Sequence, residues 1–128
     1  MKVLIYVHSP TWFTELSLLG RQIHKTPGHE VLFYIVNFSH WTVGEIAEGL
    51  RADQIPCIVE SAADPPRDSL WKEGGSPIDG LYSIGAKTQL ARGTRTWLDR
   101  VDPMAAAALR NDNLELTRSS QVLVPRAS

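Results

Sequence analysis

The apolar residues of the first sixty positions follow two alternating patterns. Largely continuous apolar runs cover residues 3–7, 31–36 and 55–59, and each has the length of one β-strand. Segments with apolar residues three and four positions apart separate these runs, as in amphipathic helices. Strands without polar alternation are typical of a parallel sheet that helices cover on both faces. The pattern predicts an α/β fold, a three-layer Rossmann-like parallel sheet with helices on both faces.

Details of the pattern place the first helix and the outer strands. The apolar stripe of that helix consists of Phe13, Leu16, Leu19, Gly20 and Ile23. A mid-helix glycine costs about 1 kcal/mol relative to alanine, so we expect Gly20 to allow close approach of the helix to a strand. Residues 2–7 are expected to form a central strand. Pro56 lacks a backbone donor, which predicts that the third strand lies towards an edge or begins at Cys57.

The pattern is weaker after the third strand. Prolines, glycines and scattered charges predict a long loop over residues 61–83. Apolar spacing predicts a helix over residues 86–101. Asp102 and Pro103 then supply an N-cap and a first-turn proline for a short helix over residues 104–110.

The last eight residues are ambiguous. Residues 121–124 are apolar enough for a short final strand, yet residues 123–128 look like a thrombin-cleavage linker added for expression. We therefore expect a single Rossmann-like domain over residues 1–120 and an expression-linker tail over residues 121–128.

Composition narrows the class of protein. A chain of 128 residues has room for one domain. Its formal net charge of −1 gives no general electrostatic reason to bind nucleic acid. The single cysteine, Cys57, lies in an apolar run and is expected to be buried and inert. The opening apolar run is too short for a signal peptide or a transmembrane segment, so a cytoplasmic location is expected.

Several kinds of site are not supported by the motifs. The segment after the first strand, residues 8–13, contains no glycine, which argues against a dinucleotide site or a P-loop. The four histidines and one cysteine show no metal-ligand spacing, so neither a metal nor another cofactor is predicted. His24 and His29 flank the turn between the first helix and the second strand, and we expect both to be exposed.

Two loops follow the carboxyl ends of the first two predicted strands and have similar contents. Their candidate ligand-binding residues are His8, Ser9, Thr11 and Trp12 in one loop and Asn37, His40 and Trp41 in the other. In open α/β sheets, ligands bind outside these strand ends. Indole faces beside hydrogen-bonding groups suit a sugar or a nucleoside. Alternatively, the tryptophans plug the end of the core and the histidines are solvated.

Four segments of the first sixty residues form a combined pattern. They are the opening strand, the helix pattern at residues 15–23, the sequence Gly-His-Glu-Val at residues 28–31, and residues 46–59. In this pattern the first sixty residues resemble the amino-terminal domain of a GT-B-type glycosyltransferase. This superfamily includes the nucleotide-sugar 2-epimerases. The resemblance covers about half of the chain and is one of pattern, without a diagnostic catalytic motif.

The resemblance implies a domain whose strand-end loops hold a sugar or a glycosylated acceptor. A carboxyl-terminal domain or subunit would bind the nucleotide-sugar donor. The amino-terminal domain of such enzymes is itself normally longer than this chain. Trp12 and Phe13 stand where related enzymes have a Gly-His pair that supplies the base. No catalytic residue is therefore assigned, and we expect a truncated domain or separate subunit that is inactive alone. The alternative is a free-standing flavodoxin-like binding module whose basic helix, residues 87–100, contacts a partner.

Overall fold

A computed structural model of the chain describes residues 1–7, 13–36, 43–60, 71, 77–83, 88–89, 92–111, 115–116 and 120–123. The helices are α1 (Phe13–Lys25), α2 (Val43–Ala52), α3 (Arg92–Val101) and α4 (Pro103–Asn111). The strands are β1 (Lys2–Val7), β2 (Glu30–Val36), β3 (Cys57–Glu60), β4 (Gly80–Ser83), β5 (Thr88–Gln89), β6 (Glu115–Leu116) and β7 (Ser120–Leu123). None of the helices in these ranges is long and apolar enough to cross a membrane.

The main sheet has the strand order β3-β2-β1-β4-β7. Strands β1 to β4 are parallel, and β7 adds an antiparallel edge strand beside β4. A small second sheet pairs β5 with β6. The order 3-2-1-4 is that of Rossmann folds, whereas flavodoxin-like sheets begin 2-1-3.

Each face of the sheet has its own apolar layer. One layer joins alternate residues of β1 and β2 to α1 and α2, with Leu16, Ala47 and Leu50 among the buried helix residues. The other layer joins the intervening strand residues to α3 and α4, with Trp97 and Leu98 among them. Since both faces of the sheet are covered by helices, the predicted three-layer Rossmann-like fold is confirmed.

Helix α1 lies close to β2 at the position of its glycine. An added Cβ on Gly20 would lie 2.2 Å from the ring of Phe33. Leu16 is buried, and the other members of the predicted stripe, Phe13, Leu19 and Ile23, pack partly buried on the same layer. Both the stripe and the reason for the glycine are confirmed, because any larger side chain would push the helix away from the strand.

The expectations for the third strand and the short last helix are also confirmed. Strand β3 begins at Cys57 and lies at one edge of the described sheet. Asp102 caps α4 by accepting a hydrogen bond from the backbone N–H of Ala105 at 3.2 Å. Its other carboxylate oxygen accepts from the N–H of Ile78 at 2.7 Å, so the cap also holds the segment that leads into β4.

Three boundaries differ from the sequence prediction. The last four residues of the expected loop over residues 61–83 form β4, which lies inside the sheet between β1 and β7. The sequence Gly-Leu-Tyr-Ser is too short, and has too few apolar residues, for periodicity to identify it. The helix expected from residue 86 begins at Arg92, and residues 88–89 form strand β5 instead. Residues 120–123 form β7, which agrees with the alternative of a short final strand and overlaps the segment assigned to the tail.

Candidate functional site at the carboxyl edge of the sheet

The four parallel strands end at one edge of the sheet, and the strand order reverses there. Along the chain, β2 and β3 are added on one side of β1, and β4 is then added on its other side. The point between β1 and β4 is therefore a topological switch point, where open α/β folds bind ligands. The last residues of the four strands are Val7, Val36, Glu60 and Ser83.

The residues predicted to bind a ligand follow two of these strands. His8, Ser9, Thr11, Trp12, Asn37, His40 and Trp41 all lie outside the described residues. The strands before them are neighbours, since Val7 of β1 pairs with Ile35 of β2. The assignment of these seven residues stays a prediction.

A buried carboxylate lies at the end of β3. Glu60 is only 5% exposed. Its Oε2 accepts a hydrogen bond from the hydroxyl of Tyr34 at 2.6 Å and another from the hydroxyl of Thr94 at 3.0 Å. Two charge-assisted hydrogen bonds offset part of the cost of removing a carboxylate from water. Glu60 therefore connects β2 and β3 to the first turn of α3.

The first turn of α3 is shaped around this carboxylate. A Cβ on Gly93 would lie 1.6 Å from Oε1 of Glu60 and 2.6 Å from its Cδ. The carboxylate thus occupies the space that a side chain at residue 93 would need. It also lies near the amino end of a helix, where the helix dipole favours negative charge.

The tyrosine in this cluster is a fixed donor. Burial is the main cause that raises the pKa of Tyr34, and the hydrogen bond to Glu60 and the charge of Glu60 raise it further. Ionisation of Tyr34 would place a second negative charge beside the carboxylate. The Tyr34 hydroxyl therefore keeps its proton and donates a hydrogen bond to Glu60. We infer that the cluster has a structural role and attaches α3 to the sheet.

Aromatic rings fill the layer under α3 beside this cluster. The Tyr34 ring stacks on Tyr6 with 6.1 Å between centroids, and the Trp97 ring lies 5.0 Å from Tyr34. Trp71 stacks on Trp97 at 6.2 Å, and the ammonium of Lys2 lies 4.6 Å from the centroid of the Trp71 ring. Since Trp71 and Trp97 are almost fully buried, these two tryptophans belong to the core.

Ser83 ends β4 beside the switch point. Its side chain is 1% exposed, and its hydroxyl oxygen has no hydrogen-bond partner among the described residues. Among the buried side-chain nitrogen and oxygen atoms of the described ranges, it is the one without such a partner. Buried polar groups in proteins are nearly always paired, so an exception of this kind needs an explanation.

Other chemistry-bearing residues have ordinary surroundings. Cys57 is buried, and desolvation raises its pKa although Arg51 nearby acts to lower it. The thiol is therefore protonated and poorly nucleophilic at neutral pH, as expected. His24 and His29 are exposed, as predicted. The described ranges contain no group of three or more histidine, cysteine or acidic residues that could hold a metal ion.

Sequence reasoning did not single out Glu60, Thr94 or Ser83. Glu60 gave the clearest available signal, since it is a charge that directly ends an apolar strand run. Gly93 gave a second signal, a glycine within a helical pattern, which often marks close packing. Nothing in the sequence links these two positions, because 32 residues separate Glu60 from the glycine that accommodates it.

Comparison with known proteins identifies no relative. No family model matches the chain, and neither the curated proteins nor the solved structures compared with it give a significant match.

Proposed function

We propose that the chain is the acceptor-side, Rossmann-like domain of a GT-B-type glycosyltransferase-like protein. In this role it binds a sugar or a glycosylated acceptor at the carboxyl edge of its sheet. A separate donor-binding domain or subunit supplies the nucleotide sugar, and transfer occurs when the two are paired.

The observation that supports this proposal most directly is the strand order 3-2-1-4. This order creates a switch point between β1 and β4, next to the ends of β1 and β2, from which the two similar aromatic and polar segments continue. The absence of glycine from residues 8–13 favours recognition by side chains over a pyrophosphate held by backbone N–H groups.

Calorimetric titration of the isolated chain tests whether it binds the acceptor but not the nucleotide-sugar donor. Uridine, thymidine and guanosine diphosphate sugars are expected to give no tight binding, because the donor site belongs to the other half. Phenyl glycosides, which combine sugar hydroxyls with an aromatic ring, are expected to bind weakly and to shift backbone NMR signals at Val7, Val36 and Ser83. Tight binding of a nucleotide sugar by this chain alone would contradict the proposal.

A non-catalytic interaction module is the second candidate function. The observation that favours it is the exposed side of α3, where Arg95 and Arg100 are both exposed. The same side also carries the exposed Asp99, which reduces its positive character. Size-exclusion chromatography with hydrogen exchange separates the two candidates. A stable monomer protected throughout α4 and β7 supports a module, and early exchange there supports a domain that needs a partner.

A further inference from the structure

Ser83 occupies a particular place in the sheet. Strand β4 pairs in parallel with β1, and the register that places Ile5 opposite Tyr82 brings Tyr6 beside Ser83. Side chains alternate along a strand, so Ser83 lies on the same face as Leu81, the face covered by α3 and α4. The hydroxyl is therefore at the carboxyl end of β4, next to β1 and beside the switch point.

The surroundings of Ser83 differ from those of the other polar groups on this face. Glu60 receives two hydroxyl hydrogens, and Tyr34 and Thr94 each have Glu60 as an acceptor. Within the described ranges the Ser83 hydroxyl has neither a donor nor an acceptor, although its side chain is as deeply buried as theirs. A hydroxyl buried without a partner destabilises the folded chain, and a group that pairs with it removes that penalty.

We propose that Ser83 is a ligand-binding residue whose hydroxyl exchanges a hydrogen bond with a sugar hydroxyl of a ligand bound at the switch point between β1 and β4. The inference rests on the proposed function for the class of ligand. Its basis at this position is the coincidence of an unpaired, buried hydroxyl with the strand end where the order of the sheet reverses. Serine suits this contact because its hydroxyl both donates and accepts.

Replacement of Ser83 by alanine distinguishes a role in ligand binding from a role in stability. The S83A variant removes the hydroxyl at almost unchanged volume. In the free protein we expect unchanged or increased thermal stability, because the buried hydroxyl has no partner to lose. Affinity for a phenyl glycoside is expected to fall about two- to tenfold, the effect of one hydrogen bond.

Ser17 provides a matched control. It lies on α1, on the other side of the sheet, and accepts a hydrogen bond from Arg21 at 3.1 Å. The S17A variant is expected to leave glycoside affinity unchanged. Binding is measured by following backbone NMR signals during titration, so that the position of each ligand is observed along with its affinity.

Three outcomes overturn the Ser83 site. The first is lower stability of S83A with unchanged glycoside affinity, which would show that the hydroxyl already has a stabilising partner in the free protein. The second is glycoside binding that shifts only signals near Val36 and Glu60, in which case the proposed function survives without Ser83. The third is the absence of any shift at Ser83 with either phenyl glycosides or uridine monophosphate.

The experiment can also support the Ser83 site while contradicting the proposed function. In this case uridine monophosphate shifts the Ser83 signals and binds more weakly to S83A, whereas glycosides do not bind. This result supports the Ser83 site and contradicts the acceptor role of the domain.

Discussion

Glu60 constrains the residues around it through both its shape and its charge. One of its carboxylate oxygens takes hydrogen bonds from Tyr34 and Thr94, and the other lies against Gly93. The three neighbours come from β2 and from the first turn of α3. The hydrogen bonds of Tyr34 and Thr94, and the need for glycine at residue 93, therefore all depend on the carboxylate of Glu60.

Removal of the Tyr34 hydroxyl tests the hydrogen bond to the carboxylate. Tyr34→Phe is expected to lower the free energy of unfolding at neutral pH by about 1.5–3 kcal/mol, the range for hydrogen bonds to charged groups. Urea denaturation measures the loss. Tyr82→Phe is the control, because Tyr82 is half-buried on the opposite face. Similar losses in the two variants would contradict the importance of the contact.

The same variant has a distinct pH dependence. Burial and Glu60 raise the pKa of Tyr34 in the folded chain above its ordinary value of 10.0. Above pH 10, the unfolded tyrosine therefore releases a proton that the folded one keeps, and stability falls by up to about 1.4 kcal/mol per pH unit. This part of the alkaline decline is expected to disappear in Tyr34→Phe, and parallel declines would contradict the assignment.

Gly93 and Gly49 form a matched pair of helix glycines. Alanine at residue 93 displaces the carboxylate of Glu60 and breaks its hydrogen bonds, so Gly93→Ala is expected to destabilise the chain by about 1–3 kcal/mol. No atom of the described ranges lies within 4 Å of a Cβ at Gly49 in α2, so Gly49→Ala is expected to stabilise the chain by about 0.5–1 kcal/mol. Thermal unfolding of both variants measures the difference, and effects of the same sign would contradict the packing.

At the scale of elements, β4 is defined by its neighbours. Three of its four residues pair with β1 on one side, and all four pair with β7 on the other. At the opposite end of these strands, the backbone N–H of Lys2 donates to Asp79 at 2.7 Å, and the N–H of Asp79 donates to the carbonyl of Lys2 at 2.8 Å. These contacts fix the register of a strand that is too short to be specified by its own composition.

The N-cap of α4 is expected to stabilise two elements at once. Asp102→Ala removes the acceptors of the Ala105 and Ile78 N–H groups, and loss of the cap together with an unpaired buried donor should cost about 2–4 kcal/mol. Chemical denaturation measures this loss. Asp53→Ala is the control, since its exposed ion pair with Arg21 contributes about 0–1 kcal/mol. Equal losses would show that Asp102 is not an anchor.

At the scale of the whole molecule, the two central strands connect the two apolar layers. Strands β1 and β2 are buried on both faces and have a hydrogen-bonded neighbour on each side. Their amides are therefore expected to exchange with solvent only through global unfolding. Native-state hydrogen exchange should give them the highest protection, with lower values in the edge strands β3 and β7. Equal protection across all five strands would contradict this hierarchy.

Much of the first half of the fold was predictable because its signals are local. Continuous apolar runs identify β1 and β2, and spacing of three and four residues identifies α1. Pro56 places β3 at an edge through the chemistry of a single residue, and Asp102 with Pro103 places the start of α4 in the same way. In each case the residues that indicate the element lie within it or directly beside it in the sequence.

The sequence by itself determined the α/β class, the two apolar strands β1 and β2, and the glycine at which α1 closely approaches a strand. Only the tertiary structure decided that Gly80 to Ser83 form a strand inside the sheet and that Glu60 is buried at the start of α3. It also decided that the hydroxyl of Ser83 has no partner in the part of the chain that the structure describes. The physical reason is that these features depend on hydrogen bonds and packing between residues far apart in the chain. Such contacts leave no periodic signal in the sequence, because they arise only once the sheet has assembled.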